Sequence, residues 1–173
     1  IPTFLIGYVL NHYSEILFTS TRIAGAGLLV TAILLFVSRR FNQGKKEYSQ
    51  ITVKDGFLIG TVQGIAALPG ISRSGSTICA SLFRGIRPSD AFRFSFLLSI
   101  PVIFGVAVLK LKDIFDGTIP AQEIRIFLFA SAVAAVSGYI ALWFLARFIR
   151  RGKFWMFAWY CLAAGIAVLC FMR

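Results

Sequence analysis

Residues 126 to 146 contain no charged side chain and are predominantly apolar. An α-helix of that length, at about 1.5 Å per residue, is about 30 Å long and matches the hydrocarbon core of a bilayer. Such a helix has no polar face for water, so the chain must fold with lipid around it. The sequence predicts four spans of this kind, at residues 22–38, 91–111, 124–148 and 154–172, and the end of another span at residues 1–10.

The composition agrees with a membrane protein. Hydrophobic residues make up 58% of the 173 residues, above the roughly 45 to 50% that is usual in soluble domains. Lysine and arginine number 18 against 7 aspartate and glutamate residues. Because the basic residues lie between apolar runs, this excess indicates loops beside a membrane and not a nucleic-acid surface. We therefore predict an all-α, polytopic protein that forms one integral membrane domain over residues 1–173.

One apolar region is broken in its middle. Its two pieces, Gly56 to Leu68 and Ser76 to Ile86, would form helices of about 20 and 16 Å, each too short to cross a bilayer. Pro69, Gly70 and Gly75 interrupt the helical pattern between them. The region therefore consists of two half-helices that either cross once as a pair or dip into the membrane and return.

The distribution of basic residues favours the return. If residues 55–87 leave on the side they enter, most lysines and arginines share one side of the membrane, whereas a single crossing divides them almost evenly. Cytoplasmic loops are the ones that carry such an excess. We predict a re-entrant helix pair at residues 55–87, a basic cytoplasmic loop at 39–54 and a C-terminus outside. The tip would lie near mid-membrane, where irregular backbone needs protein or a watery cavity around it.

Arg73 lies in this tip, among serines and a threonine. A charge at that depth costs about 2.5 to 3.5 kcal/mol on insertion scales, so something must offset it. The N-terminus of the second half-helix, expected at about Ser76, would point its free N–H groups into the tip. Together with hydroxyls and a guanidinium fork, this arrangement predicts a phosphate site. Two alternatives stay open: Arg73 could cap the carbonyls of the first half-helix, or the tip could belong to an ion or transport pathway.

Acidic residues are missing from the apolar parts of the sequence, and the cysteines do not have the spacing of metal ligands. The D-x-x-D spacing of Asp113 and Asp116 could suggest magnesium, but beside Lys110 and Lys112 it favours a solvated turn. We therefore predict no metal-ligating residue and expect the chain to bind a phosphate more readily than it hydrolyses one. The acids fall in predicted loops or at span ends: Glu15, Glu47, Asp55, Asp90, Asp113, Asp116 and Glu123.

Two segments carry a family resemblance: residues 60–78 read GTVQGIAALPGISRSGSTI, and residues 92–105 read FRFSFLLSIPVIFG. They strongly resemble the undecaprenyl pyrophosphate phosphatase family, the bacterial bacitracin-resistance phosphatases. The resemblance covers essentially the whole chain, as the C-terminal two thirds of the family's chain. It implies inverted repeats, each a re-entrant pair followed by three spans, of which this chain would be the second. The first repeat, which carries glutamates and a histidine thought to be catalytic, is absent from this sequence.

The resemblance also implies roles for residues of the tip. Arg73 would grip a diphosphate, Ser72 and Thr77 would hydrogen-bond it, and Gly70 and Gly75 would allow its close approach to the backbone. Further substrate-binding residues are expected at Ser74, Ser76 and Gln63. Candidates for a groove that holds the prenyl tail are Phe92, Phe94, Phe96 and Phe104, with helix packing or contact with lipid as the open alternative.

The implied reaction is hydrolysis of the terminal phosphate of undecaprenyl diphosphate in the bacterial plasma membrane, which recycles the lipid carrier of cell-wall synthesis. The implied cofactor is a divalent cation, Mg²⁺ or Ca²⁺. The partners would be the polyprenyl diphosphate and the bilayer, with a homo-oligomer left open. Since broken helices and inverted repeats also build transporters, a transporter or flippase for a prenyl phosphate is the alternative. Residues 1–173 are expected to be inactive alone, because the catalytic acids would belong to the absent repeat.

Overall fold

The computed structural model describes residues 2–12, 17, 20–115 and 121–171, without the side chains of residues 11, 12, 109–115 and 121–124. These residues form an all-α structure. Its helices are α1 Pro2–His12, α2 Thr21–Ser38, α3 Val53–Ile65, α4 Arg73–Phe83, α5 Pro88–Phe115, α6 Ala121–Arg150 and α7 Phe157–Phe171, with short 3-10 turns at Arg39–Phe41, Tyr48–Gln50 and Phe154–Met156.

Four helices of the described chain are long and apolar enough to cross a bilayer. They coincide with the four predicted spans, so the prediction of an all-α polytopic membrane protein is confirmed. α5 and α6 extend beyond the predicted bounds at both ends, because charged residues continue each helix past its apolar part. The four membrane-length segments are Thr21–Phe41, Pro88–Val108, Arg125–Arg150 and Phe154–Phe171.

α3 and α4 form a helical hairpin, and α3 begins earlier than predicted. Its first residue is Val53 and not Gly56, because Thr52 and Asp55 form a capping box. The Thr52 hydroxyl accepts from the Asp55 N–H at 3.3 Å, and the Asp55 carboxylate accepts from the Thr52 N–H at 2.8 Å. Two donors at the start of the helix are thereby satisfied. The helix ends at Ile65, three residues before the predicted end.

α4 also begins three residues before the predicted start, at Arg73 and not at Ser76. Ser72 caps this helix, since its hydroxyl accepts a hydrogen bond from the Gly75 N–H at 3.1 Å. The prediction treated Gly75 as a helix breaker, whereas the glycine lies in the first turn of α4. This correction places Arg73 at the first helical position.

The two ends of the hairpin lie beside each other. Arg84, which follows α4, donates from Nε to the Asp55 Oδ1 at 2.8 Å, and Lys46 also pairs with Asp55. The Lys46 N–H donates to the Gly85 carbonyl at 3.0 Å, which makes a parallel bridge between Lys46 and Ile86. The start of α3 and the end of α4 therefore lie together at the open end of the hairpin, and the turn at residues 66–72 closes its other end.

α4 lies at the centre of the structure, between α2, α3 and α5. Its residues from Gly75 to Cys79 are all buried. The core that surrounds it draws on almost every helix, so the hairpin is held as part of the main core. The buried apolar residues are Ala32, Leu35, Ile59, Ile78, Cys79, Leu82, Ile86, Ala91, Ile149, Phe154, Ala158 and Cys161.

Small residues let α1 pack closely along α3. A Cβ added at Gly60 would lie 3.3 Å from Pro2 Cγ, and one at Gly64 would lie 2.8 Å from Ile6 Cβ. Close helix packing at a Gly-x-x-x-Gly pair is common in membrane proteins. Because contact positions advance together along both helices, α1 runs parallel to α3 and towards the turn of the hairpin.

The buried part of α6 is near its C-terminal end, where Ile149 belongs to the core. Its residues 125–137 are all exposed. An apolar helix with exposed side chains on all faces is typical of a span that contacts lipid.

Candidate anion-binding site

Arg73 begins α4 at the turn of the hairpin. The first N–H groups of a helix lack partners within the helix, and the helix dipole adds partial positive charge at that end. The guanidinium of Arg73 therefore lies at a helix end that already favours anions. No described carboxylate forms a salt bridge with Arg73.

Thr31 of α2 holds the turn in place. Its hydroxyl accepts a hydrogen bond from the Ser72 N–H at 2.9 Å. The same hydroxyl lies 3.2 Å from the Gly70 carbonyl and 3.0 Å from the Gly27 carbonyl, to which it can donate. Thr31 is fully buried, so these bonds form away from water. A residue that lies far from the motif in sequence thus fixes the backbone on which Arg73 is mounted.

Two glycines allow the turn to lie directly against α2. Gly70 has a φ of +79°, a conformation that favours glycine, and a Cβ there would collide with the Ala24 carbonyl. A Cβ at Gly27 would collide with the Pro69 carbonyl. The close contact that Gly70 allows is therefore the contact between the turn and the backbone of α2. At Gly75 an added Cβ would lie 2.8 Å from the Ser72 hydroxyl, so that glycine makes room for the cap.

A cavity of about 760 Å³ adjoins the turn, and Arg73 and Gln63 are polar residues in its wall. The side chain of Gln63 is buried, and its Nε2 donates to the Leu98 carbonyl at 3.4 Å. Its Oε1 has no hydrogen-bond partner among the described residues. A buried amide oxygen without a partner costs about 1 to 3 kcal/mol, so a hydrogen-bond donor that reached this atom would relieve that cost. The complete lining is Thr3, Phe4, Gly7, Tyr8, Gln63, Gly64, Ala67, Arg73, Leu98, Pro101, Val102, Gly105 and Val106.

The predicted site residues divide into two groups. Arg73 and Gln63 share the cavity, whereas Ser72, Thr77, Gly70, Ser74, Gly75 and Ser76 are outside its lining. Ser72 caps α4, and the Thr77 hydroxyl lies 2.9 Å from the Arg73 carbonyl and also contacts the Ser95 hydroxyl. Ser76 is buried, and its hydroxyl has no partner among the described groups. Direct contact of these hydroxyls with a diphosphate stays a prediction.

The described carboxylates lie at the open end of the hairpin. Burial raises the pKa of Asp55, but hydrogen bonds from Lys46, from the Thr52 N–H and from Arg84 outweigh it and hold that pKa well below its usual range. Asp55 therefore stays ionised and paired with cations. Asp90 pairs with Arg87 at 2.9 Å. Neither carboxylate lines the cavity, so the described residues there can bind an anion but include no carboxylate base for water.

No cluster of three or more histidine, cysteine, aspartate or glutamate residues occurs in the described parts of the chain. Among side chains that line the cavity, the Gln63 Oε1 is one oxygen without a partner. Magnesium and calcium take six or more oxygen ligands and favour carboxylates. The described residues therefore do not fit a resident divalent cation.

Sequence comparison assigns this arrangement to a family. Residues 1–167 match the family model described as bacitracin resistance protein BacA. The chain belongs to this family. The match covers the hairpin with Arg73, the parallel helix α1 and the spans that follow.

Several relatives of this BacA-family chain carry the name undecaprenyl-diphosphatase. The protein from Halothermothrix orenii is 40% identical over 169 residues, which are 98% of this chain and 65% of the relative. The protein from Desulforapulum autotrophicum is 40% identical over 96% of this chain and 59% of its own length. The chain thus spans less than two thirds of these relatives. The protein from Methanothermobacter thermautotrophicus is 42% identical over 98% of this chain and 94% of its own length.

Proposed function

We propose that this BacA-family chain binds the diphosphate of undecaprenyl diphosphate at Arg73. We propose further that the protein hydrolyses the lipid with water to undecaprenyl phosphate and phosphate. The observation that carries the proposal is the position of Arg73 at the start of α4, in the wall of a cavity of about 760 Å³. The name undecaprenyl-diphosphatase of its relatives supports the substrate and the reaction.

The roles of the described residues follow from their chemistry. The guanidinium of Arg73 can bind two phosphate oxygens at once. The Gln63 Oε1 can accept a hydrogen bond from a protonated phosphate oxygen or from water. In this proposal Ser72 and Thr77 hold the first turn of α4 in place: the Ser72 hydroxyl accepts from the Gly75 N–H, and the Thr77 hydroxyl donates to the Arg73 carbonyl. Gly70, Gly75, Ser74 and Ser76 then shape the turn that carries Arg73.

The divalent cation implied by the family resemblance is also a proposal. Since the described residues do not fit a resident cation, Mg²⁺ or Ca²⁺ would arrive bound to the diphosphate of the substrate. A bound cation would neutralise part of the phosphate charge.

The orientation in the membrane is proposed from the charges. The open end of the hairpin carries Lys46, Arg84 and Arg87 and would face the cytoplasm of a bacterial plasma membrane. The turn with Arg73 would then lie within the bilayer, and the C-terminus of α7 would lie outside. A homo-oligomer is also proposed, with no contact surface assigned to it.

A transporter or flippase for a prenyl phosphate is the second candidate. One observation favours it: no described carboxylate lines the cavity that contains Arg73. A site that binds a phosphate without a base for water suits carriage as well as hydrolysis. The two candidates differ in whether bound diphosphate loses a phosphate.

The experiment is an assay of phosphate release from undecaprenyl diphosphate, with and without Mg²⁺ or Ca²⁺. It compares residues 1–173 with the natural protein that contains them, each purified in detergent. We expect the natural protein to release one phosphate per lipid and Arg73→Ala to abolish the release. Residues 1–173 alone should bind the lipid and release no phosphate. Binding without release by the natural protein would reject hydrolysis and favour carriage, and turnover by residues 1–173 would contradict their inactivity.

A further inference from the structure

The cavity beside Arg73 and Gln63 has a mainly apolar lining, with Thr3 and Tyr8 as its other polar side chains. Gln63 lies at the level of Leu98, because its Nε2 donates to the Leu98 carbonyl. Beyond Leu98, the wall from α5 consists of residues at helical spacing up to Val106, about 12 Å further along the helix. The facing wall from α1 has the same spacing. These walls are Leu98, Pro101, Val102, Gly105 and Val106 from α5 and Thr3, Phe4, Gly7 and Tyr8 from α1.

Among the described residues, glycines on the two facing walls leave open space between α1 and α5. A Cβ added at Gly7 or at Gly105 would meet no described heavy atom within 4 Å outside its own stretch of helix. Most glycines that pack against another helix in this structure behave differently: Gly25, Gly64 and Gly165 would each place a Cβ within 3 Å of a neighbour. Gly7 and Gly105 are therefore not packing glycines, and both line the cavity.

We propose that the isoprenoid chain of the substrate leaves the diphosphate at Arg73 and runs between α1 and α5, past Gly7 and Gly105. This inference rests on the proposed function. An isoprenoid chain offers no hydrogen bonds and is joined covalently to the diphosphate, so an apolar surface must begin next to the anion site. The α1 and α5 walls supply that surface directly beside Arg73 and Gln63. A long chain would continue from there into lipid.

The phenylalanines that the sequence offered for this groove lie elsewhere. Phe92, Phe94 and Phe96 pack against the buried core, and Phe92 and Phe96 stack with ring centroids 4.6 Å apart. Phe104 is exposed and does not line the cavity. The groove is therefore assigned to the residues of α1 and α5 that line the cavity.

The test measures the affinity of the natural protein in detergent for inorganic diphosphate, farnesyl diphosphate and undecaprenyl diphosphate. Gly105→Phe and, from the facing wall, Gly7→Phe place a ring in the passage. Gly138→Phe is the matched control, because Gly138 also has open space around it among described residues but lies on α6, outside the cavity lining. If Gly105→Phe no longer shows the unfolding transition of the parent, Gly105→Val replaces it, because valine places a smaller side chain at the same point of the passage.

We expect Gly105→Phe and Gly7→Phe to weaken both prenyl diphosphates at least about tenfold, or about 1.4 kcal/mol, while inorganic diphosphate binds as in the parent. The added ring prevents the diphosphate from reaching Arg73 only when a tail is attached. Equal effects on all three ligands, or prenyl affinities no lower than those of Gly138→Phe, would overturn the groove. A parent that binds none of the three ligands, or binds them equally well after Arg73→Ala, would instead reject the proposed function.

Discussion

The hydroxyl of Thr31 accepts a hydrogen bond from the backbone N–H of Ser72 at 2.9 Å and ties α2 to the residue before Arg73. It also contacts the carbonyl of Gly70. The last part of the turn between the half-helices, from Gly70 to Ser72, is thus held by one buried side chain. The position of Arg73 in the cavity depends on a contact between elements that are distant in the sequence.

Thr31→Val should weaken diphosphate binding, because it keeps the side-chain shape and removes the hydroxyl. The Ser72 N–H and the Gly70 carbonyl would lose this partner in a buried place, at a cost of about 1 to 3 kcal/mol. If most of that cost is relieved by movement of the turn, the affinity for inorganic diphosphate falls about tenfold. Calorimetric titration of the purified protein measures the effect.

Thr31→Ser is the conservative variant and should restore most of the affinity, since it retains the hydroxyl. Thr61→Val is the matched control, because the Thr61 hydroxyl bonds only within α3, to the Phe57 carbonyl at 2.9 Å, among the described contacts. If Thr31→Val binds diphosphate as tightly as Thr61→Val does, Thr31 does not position the site. A lower unfolding temperature without a change in affinity would likewise assign Thr31 to stability alone.

Asp55→Asn should destabilise the protein by separating the ends of the hairpin. The carboxylate of Asp55 is buried and accepts hydrogen bonds from Lys46, Thr52 and Arg84. Hydrogen bonds to a charged group contribute about 1.5 to 3 kcal/mol, so we expect a loss of about 2 kcal/mol. Glu47→Gln, which affects an exposed pair with Arg87, should change stability by less than about 1 kcal/mol. Equal unfolding temperatures for the two variants would contradict the role of Asp55.

The same carboxylate predicts how stability depends on pH. The folded protein holds the pKa of Asp55 below its ordinary value, so folding favours the ionised form. This contribution is complete above the unfolded pKa of about 3.9 and is lost as the pH falls from there towards the folded pKa. The stability difference between the parent and Asp55→Asn should therefore be constant from pH 7 to pH 5 and become smaller at pH 3. A difference that grows on acidification would contradict this assignment.

Cysteine labelling tests whether the hairpin is re-entrant. In a background without Cys79, Cys161 and Cys170, single cysteines at Ser49 and Ser89 flank the two half-helices at exposed positions. A membrane-impermeant reagent should reach both from the same side of the membrane. A cysteine at Ser20, on the far end of α2, serves as the control and should react from the opposite side. Labelling of positions 49 and 89 from opposite sides would reject the re-entrant arrangement.

The sequence predicts the spans, the broken helix pair and the importance of Arg73, since these depend on local patterns. Uncharged apolar runs of sufficient length reveal the spans, and Pro69 with Gly70 reveals the turn. The predicted start of α4 is wrong because Gly75 is typical of a break between helices, whereas the Ser72 cap allows the helix to begin before it. A Ser72-x-x-Gly75 spacing just before an apolar run was the available clue for this cap.

The remaining features depend on packing between distant elements. Thr31 has no local signal, because a threonine inside an apolar helix usually bonds within its own helix. Gln63 is named at the sequence level only through the family resemblance, and the lack of a described partner for its Oε1 depends on packing. The parallel contact of α1 with α3 follows from Gly60 and Gly64, whose spacing is visible in the sequence but does not identify the helix that they contact.

Arg73 is the central anion ligand of the proposed site, and the affinity for inorganic diphosphate tests that role directly. Calorimetric titration compares the parent with Arg73→Ala, Arg73→Lys and the control Arg93→Ala, which changes an exposed arginine of α5 outside the cavity lining. We predict that Arg73→Ala weakens binding by about 3 kcal/mol, or more than a hundredfold, because a charged and partly buried ligand is lost. Arg73→Lys should still bind at least about tenfold more weakly than the parent, because lysine lacks the guanidinium fork. If Arg73→Ala binds diphosphate within about a factor of two of Arg93→Ala, the central claim is wrong.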